Sequence, residues 1–388
     1  MEQRIFRTKP ATCAVIGSTG SIGTQTLEVI DHLSKQGFSI RVVGMAANNN
    51  PVFAEQLKTF RPAGYCFNGP LTEIPEAVRR FESVESMLEA ERPDFTVIAS
   101  SGGVSLSYAL KAAETSRRIC LANKESVVLG GRLIPERVKA LGKELIPVDS
   151  EHSGLFQLLL GTDPSEIQMA YITASGGALR DWDASKKEGA TVEQVLRHPN
   201  WKMGAKITVD SATLMNKALE MIEAKFLFGL PTEKIGVAFC HNSFIHALIA
   251  YRDGHYKMHA GMPDMRIPIA YAFTCPERVS APEGHDVIRD GYNGLFEPIL
   301  LKPADPEAHP ALRLARTVLE EPNALRIALN AANEAAVQLF LEKRVSFGEV
   351  TRIVEKAVSS QEAWEIESPS EILEFHEEIK RRVRCAYV

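Results

Sequence analysis

The 388-residue chain contains no apolar run near the roughly 20 residues that cross a bilayer, so no membrane-spanning helix is expected. It has no excess of base: 44 Lys and Arg are set against 49 Asp and Glu, for a formal net charge of -5. The basic side chains are also dispersed, which leaves no electrostatic case for nucleic acid or an anionic membrane surface as a partner. Cysteine is sparse. Cys13, Cys66, Cys120, Cys240, Cys275 and Cys385 include no Cys-x-x-Cys pair, which argues against a disulfide framework or a zinc site and for reduced structural thiols. Met1 to Pro10 is short, polar and charged, with no apolar signal-peptide core, so a cytoplasmic location is expected. Internal repeats and low-complexity segments are absent as well. What remains is the composition of a globular protein long enough for two or three cores.

From Ala11 to about Asp149, short β-branched runs alternate with helical stretches, the pattern of βαβ units and a mostly parallel sheet. Strands are predicted over Thr12 to Gly17, Ser39 to Ala46, Asp94 to Ser100, Arg118 to Ala122 and Glu144 to Val148. Helices are predicted over Thr24 to Leu33, Val52 to Thr59 and Val104 to Thr115. Ser150 to Pro282 mixes strand-like runs, Tyr171 to Ala174 and Gly236 to Phe239, with a helix from Ala212 to Phe228 closed by Gly229 and Pro231. After a Pro-rich connection, Lys302 to Pro310, the Ala- and Leu-rich tail has helical periodicity, and Ser346-x-x-Glu349 and Ser368-Pro-x-Glu371 read as capping boxes. The expected fold is therefore α/β: a Rossmann-like dinucleotide domain over 1–149, an α+β catalytic domain over 150–282, a linker over 283–310 and a C-terminal helical bundle over 311–388.

Gly17-Ser-Thr-Gly20-Ser-Ile-Gly23 follows the first predicted strand and opens a helix, the context a dinucleotide fingerprint requires. Backbone amides from Thr19 through Gly20 and Ser21 to Ile22 would donate to a pyrophosphate there, the alternative being a turn that merely needs glycine. The second strand ends Ala46-Ala47-Asn48-Asn49-Asn50, without the acidic residue that would bind the ribose hydroxyls of NAD, so NADP(H) is preferred.

Pro147-Val-Asp-Ser-Glu-His152 places Asp149 and Glu151 two apart, on one side of what reads as an extended segment. With Glu220 they form a hard oxygen donor set suited to Mg²⁺ or Mn²⁺. Phosphate needs donors, and Ser175, Ser211, Asn216 and Lys217 supply them, with Ser211 expected at a helix start. Asn216 and Glu220 share a helix face, and Lys217 is either a phosphate donor or simply the salt-bridge partner of Glu220. His198-Pro-Asn-Trp201-Lys-Met203-Gly204 has no regular period and reads as a lid, against the alternative that Trp201 is a core residue and His198 structural. Lys124 follows a strand at the sheet's carboxyl edge, where it faces a gap between cofactor and metal or else merely starts a helix.

These strings, together with Ala122-Asn-Lys-Glu-Ser126, Thr173-Ala-Ser-Gly-Gly177 and Pro263-Asp-Met265, closely resemble the 1-deoxy-D-xylulose 5-phosphate reductoisomerase family along nearly the whole chain. The resemblance implies a V-shaped homodimer using NADPH and a divalent metal (Mg²⁺, Mn²⁺ or Co²⁺), with a small sugar phosphate as substrate. Asp149, Glu151 and Glu220 would hold the metal, with Ser150, Lys124 and Glu125 beside substrate or cofactor. Ser175, His198, Ser211, Asn216 and Lys217 would hold substrate, chiefly its phosphate, with Trp201 over its backbone and Ser243 and His246 at the floor. Thr19 to Ile22, Ala47, Asn48, Asn49, Asn123 and Gly204 match cofactor contacts, and Met203 would lie near the nicotinamide. The implied reaction rearranges 1-deoxy-D-xylulose 5-phosphate and reduces the product to 2-C-methyl-D-erythritol 4-phosphate.

Two segments depart from the family pattern: Ser100-Ser-Gly-Gly-Val104 near the dinucleotide site and Cys240-His-Asn-Ser243 near the floor. Neither removes a proposed ligand. The competing readings are another NADP enzyme of semialdehyde or homoserine dehydrogenase type, and a noncatalytic NADPH-binding regulator.

Overall fold

Continuous apolar runs build the centre of the first sheet, because a parallel strand covered on both faces has no solvent side to alternate toward. The computed structural model describes residues 10–71, 74–75, 77–201, 203–282 and 298–387. Its seven parallel strands are β1 (Ala11–Ile16), β2 (Ile40–Ala47), β3 (Gly64–Phe67), β4 (Arg79–Arg80), β5 (Phe95–Ile98), β6 (Arg118–Leu121) and β7 (Glu144–Pro147). They lie in the order β4-β3-β2-β1-β5-β6-β7, and β3, β5 and β6 are buried throughout. Helices α1 (Ser21–Lys35), α2 (Val52–Phe60), α3 (Val84–Glu91), α4 (Ser105–Thr115), α5 (Lys124–Gly130), α6 (Leu133–Ala140) and α7 (Ser150–Leu159) connect or follow them. The strand order reverses direction at β1, whose neighbours are β2 and β5, which is where such sheets bind ligands. All five predicted strands of this half are present; β3 and β4 are too short to leave a pattern in the sequence.

The second sheet is mixed: β8 (Ile167–Ala174), β9 (Ile235–Phe239), β10 (Ile245–Tyr251), β11 (Tyr256–Ala260) and β12 (Lys302–Pro303) in the order β11-β10-β8-β9-β12. Only β8 and β9 pair in parallel. Short helices α8 (Ala184–Lys187) and α9 (Val192–Val195) lead to α10 (Ala205–Thr213) and α11 (Met215–Phe228). Then come α12 (Arg266–Thr274) and the tail helices α13 (Pro310–Leu319), α14 (Asn323–Leu341), α15 (Phe347–Ser359) and α16 (Pro369–Ala386). Ala328, Ala331, Ala332, Ala335 and Ala336 of α14 are buried, and such small side chains let neighbouring helices approach closely.

By contact the chain forms two compact units: the described residues of Met1–Ser126, Leu133–Ser153 and Asp264–Tyr292, and those of Val127–Arg132, Gly154–Pro263 and Asn293–Val388. In the first, Arg118 is 4% exposed and donates to Glu144 Oε2 (2.6 Å) and to the carbonyls of Ala272 (3.1 Å), Phe273 (2.8 Å) and Cys275 (2.9 Å) at the end of α12. A charge so deeply buried is tolerated because every carbonyl it meets needed a donor. In the second, the Arg326 guanidinium donates to Val128 O (2.5 Å) and Leu129 O (3.2 Å), and burial pushes its pKa down to about 10.

Three expectations need correction. The helix predicted from Ala212 to Phe228 is two helices, because Leu214 is left-handed (φ 64) and ends α10 before α11 begins. Ser346 forms its capping box with Glu349, but Ser368 pairs with Ser370 (2.7 Å) instead of closing a box with Glu371, and Pro369 alone sets the start of α16. The predicted linker contains a strand, β12, paired with β9, while its residues 283–297 lie outside the described residues.

Candidate functional site

Glycine geometry shapes the turn that follows β1 in the first unit. Gly17 has φ +89, and a Cβ there would lie 2.5 Å from Ser100 N; one at Gly23 would lie 2.1 Å from Gly17 O. Glycine is therefore required at both positions for the turn to fold under α1. Gly20 is the N-cap of α1, with no side chain capping that end and no acidic residue in its first turn. Thr19 and Ile22 are half-buried and Gly20 and Ser21 exposed, so an approaching anion meets backbone amides at the positive end of the helix dipole. At the end of β2, Ala47 is half-buried while Asn48 and Asn49 are exposed, and Asn68 Nδ2 donates to Asn48 Oδ1 (3.0 Å).

Beyond β6, Asn123 starts α5: its Oδ1 accepts from Ser126 N (2.7 Å) and its Nδ2 donates to Ser100 O (2.8 Å) and Glu125 Oε2 (2.7 Å). Asn123, Lys124 and Glu125 are all buried, which removes the surface reading of Lys124. Its Nζ is bonded to Asp149 Oδ2.

Asp149 and Glu151 do not share one side of an extended segment. β7 ends at Pro147, and Asp149 Oδ1 accepts from the amides of Glu151 (3.1 Å) and His152 (3.2 Å), capping α7. A cap side chain satisfies amides that the helix leaves open, and this local gain overrides continuation of the strand. Glu151 thus lies in the first turn of α7, where Ser150 Oγ donates to its Oε2 (2.8 Å). His152, fully buried, has Nδ1 3.5 Å from Asp149 Oδ1; its place in the cap was not foreseen.

In the second unit, Ser175 closes a small network at the end of β8. His198 Nδ1 accepts from the amides of Asn200 (3.2 Å) and Trp201 (3.0 Å), so Nε2 carries the proton and donates to Ser175 Oγ (3.0 Å). Gly177 N donates to the same hydroxyl (3.2 Å), which leaves the Ser175 proton directed elsewhere. Burial, reinforced by the Arg180 guanidinium, pushes the His198 pKa down to about 4, in keeping with a neutral ring. Arg180 and Asn200 were given no role from the sequence. Arg180 donates to Ser175 O (3.3 Å) and His241 O (2.8 Å), and Asn200 Nδ2 donates to His241 O (2.7 Å) and Ser243 Oγ (2.9 Å). An Arg three residues after a glycine pair was the available signal, but which carbonyls it reaches depends on the distant turn at 240–243.

Ser243 is buried and left-handed (φ 56), a strained backbone held by that network. His246 is buried, with its ring 6.4 Å from that of half-buried Trp201. Met203 is half-buried, Gly204 exposed, and Lys202 lies outside the described residues.

Ser211 is not at a helix start: it lies near the end of α10, where a Cβ on Gly177 (φ +72) would come within 2.7 Å of its carbonyl. The donors expected of it rest on its hydroxyl alone, without the helix dipole. On α11, fully buried Glu220 accepts from Asn216 Nδ2 (2.5 Å) and Lys217 Nζ (2.5 Å), so the predicted shared face exists and Lys217 does form the salt bridge.

Family models match three stretches: 1-deoxy-D-xylulose 5-phosphate reductoisomerase over 13–131, its C-terminal domain over 145–228, and the DXP reductoisomerase C-terminal domain over 260–382. The chain is 42% identical over 358 residues to 1-deoxy-D-xylulose 5-phosphate reductoisomerase of Thermotoga maritima, covering 89% of each. Against that of Halalkalibacterium halodurans it is 39% identical over 387 residues, covering 95% of this chain and 97% of the relative. Among solved structures, the Zymomonas mobilis enzyme in complex with NADPH superimposes with a TM-score of 0.84 at 31% identity, covering 98% and 99% of the two chains. A DOX-P reductoisomerase in complex with NADPH, fosmidomycin and magnesium gives 0.83 at 30% identity, covering 97% of each. Likeness in sequence and backbone thus runs the length of the chain, which belongs to the 1-deoxy-D-xylulose 5-phosphate reductoisomerase family.

Proposed function

We infer that the chain converts 1-deoxy-D-xylulose 5-phosphate to 2-C-methyl-D-erythritol 4-phosphate, using NADPH and a divalent metal ion. The observation that carries this is 42% identity over 89% of the chain to an enzyme named for that substrate. The residues fit both groups. Gly17 and Gly23 keep open a backbone cradle that any Cβ would fill, and the exposed Asn48 and Asn49 offer a ribose phosphate donors without repulsion. Asp149, Glu151 and Glu220 are hard oxygen donors for one cation, and two of them already hold a lysine ammonium as counter-charge, Lys124 on Asp149 and Lys217 on Glu220.

When bound, the metal supplies Lewis acidity at the substrate's ketone and adjacent hydroxyl, and NADPH supplies the hydride. Around them, Ser175, whose oxygen already accepts twice, turns its proton to the substrate phosphate, and neutral His198 holds it there. Ser211, Asn216 and Lys217 add donors, with Ser243 and His246 at the floor. Ser150, Lys124 and Glu125 lie beside substrate and cofactor, and Asn123 and Gly204 contact the cofactor. Trp201 and Met203, carried on a segment without regular structure, cover the site and exclude water.

The chain acts as a cytoplasmic homodimer, with 1–149 forming the NADPH domain, 150–282 the catalytic domain that carries most of the substrate and metal residues, and 311–388 the helical bundle. The exposed edge strand β11, with Tyr256 63% and Met258 50% exposed, supports self-association, since unpaired strand edges seek partners. The semialdehyde or homoserine dehydrogenase reading is not favoured by family membership, and a noncatalytic regulator would not need these carboxylates. NADPH oxidation that requires both Mn²⁺ and 1-deoxy-D-xylulose 5-phosphate is the test; oxidation with aspartate semialdehyde instead, or none, rejects the proposal.

A further inference from the structure

A cavity of about 130 Å³ lies within the second unit, between the sheet at β8, β9 and β12 and the helices α11 and α13. Its walls include Met169, Tyr171, Met221, Val237 and Leu312, and Arg316 joins them. One wall is fixed by close packing. Tyr171 pairs with Gly236 across the parallel strands, and a Cβ on Gly236 would lie 2.5 Å from a carbon of the Tyr171 ring, so the glycine makes room for the phenol. Arg316 Nε is buried with no acceptor, and Arg316 is the one arginine among the described residues in that condition. A buried donor of that kind is costly and calls for a partner that the chain itself does not supply.

We propose that this cavity binds a small organic anion with an apolar body, an aromatic or branched aliphatic carboxylate. The volume is close to that of a cavity of about 150 Å³ that accepts benzene. The methionines give adaptable apolar walls and the guanidinium a planar fork that matches a carboxylate. Met221 directly follows Glu220, so an occupant touches the helix that bears Asn216, Lys217 and Glu220.

Benzoate is the probe and the full chain the target, with the methyl signals of Met169 and Met221 followed by NMR. Benzoate should shift both saturably. Benzyl alcohol, of similar shape without charge, should bind about tenfold more weakly, as expected for loss of a charge-assisted hydrogen bond. Arg316→Met should weaken benzoate to the same level while leaving benzyl alcohol unchanged. Signals that do not move, equal affinities for the two probes, or an unaltered benzoate affinity in R316M would overturn the proposal. The comparison of probes on the unsubstituted chain stands even if that variant folds poorly. No turnover is measured, so this result is independent of the function inferred above.

Discussion

At the residue scale, the paired charges carry the most information. Glu220 is fully buried against Lys217 and Asn216, so its carboxylate is both a candidate ligand and the counter-charge of a buried ammonium. Glu220→Gln is expected to lower turnover by roughly a hundredfold or more and to raise the Mn²⁺ concentration needed for half-maximal rate. It should also destabilise the fold, since breaking a buried ion pair costs about 3–5 kcal/mol. Unchanged activity at limiting Mn²⁺ would remove Glu220 from the metal. His198 gives a pH signature. Its folded pKa of about 4 lies below the ordinary value of 6.5, so between those pH values the unfolded chain binds a proton that the folded one refuses. The stability this ring contributes is complete above pH 6.5 and is lost as pH falls toward 4. NMR titration of the ring should find a midpoint near 4, and His198→Gln should flatten that part of the stability profile; a midpoint near 6.5 would contradict the buried, hydrogen-bonded ring.

At the element scale, turns position the site more than helices or strands do. Gly23→Ala inserts a methyl 2.1 Å from Gly17 O, which forces α1 away from the β1 turn. NADPH affinity should fall at least about tenfold, measured by fluorescence titration, with the second unit unaffected; wild-type affinity would show that the cradle plays no part in binding. The segment before α10 permits a similar separation of roles. Trp201 is half-buried against His246, so Trp201→Ala should impair kcat/KM strongly and shift Tm little. A truncated core tryptophan would instead cost about 3–5 kcal/mol, and a Tm drop of that size would identify Trp201 as core. These predictions follow from features of uneven legibility. Gly17, Gly20 and Gly23 could be read directly, because a strand, a tight turn and a helix dipole need them at that spacing. The cap by Asp149 could not, because Asp-Ser-Glu continues an apolar strand as readily as it ends one until the side chain finds the amides of Glu151 and His152. The break at Leu214 was hidden for a related reason: leucine is a strong helix former, so its residue type does not mark the left-handed turn it makes.

At the scale of the whole molecule, each unit is assembled from separated stretches of chain, and its ties are long-range. Asp94 accepts from Thr12 N and Oγ1 (2.8 Å each), joining the starts of β5 and β1. In the second unit Asn333 of α14 donates to Asp210 of α10 (2.8 Å), so the C-terminal bundle braces the helix before Ser211. A ligand that binds only the folded form stabilises it by mass action, and NADPH at a hundred times its Kd should add about 2.7 kcal/mol to the unfolding free energy. Denaturant titration with and without NADPH checks this. No stabilisation at that concentration would mean that the first unit does not hold the cofactor.

The amino-acid order by itself determined the parallel sheet, the glycine turn after β1, the helical tail and the hard, acidic character of the candidate metal residues. Those features depend on local periodicity, backbone freedom and side-chain charge, which neighbours in sequence decide. Tertiary structure alone decided that Lys124 is buried on Asp149, that His198 is neutral between Ser175 and its own turn, and that Arg180 and Asn200 hold the segment at 240–243. Burial and long-range hydrogen bonds set those states, and neither exists until distant stretches of chain have met.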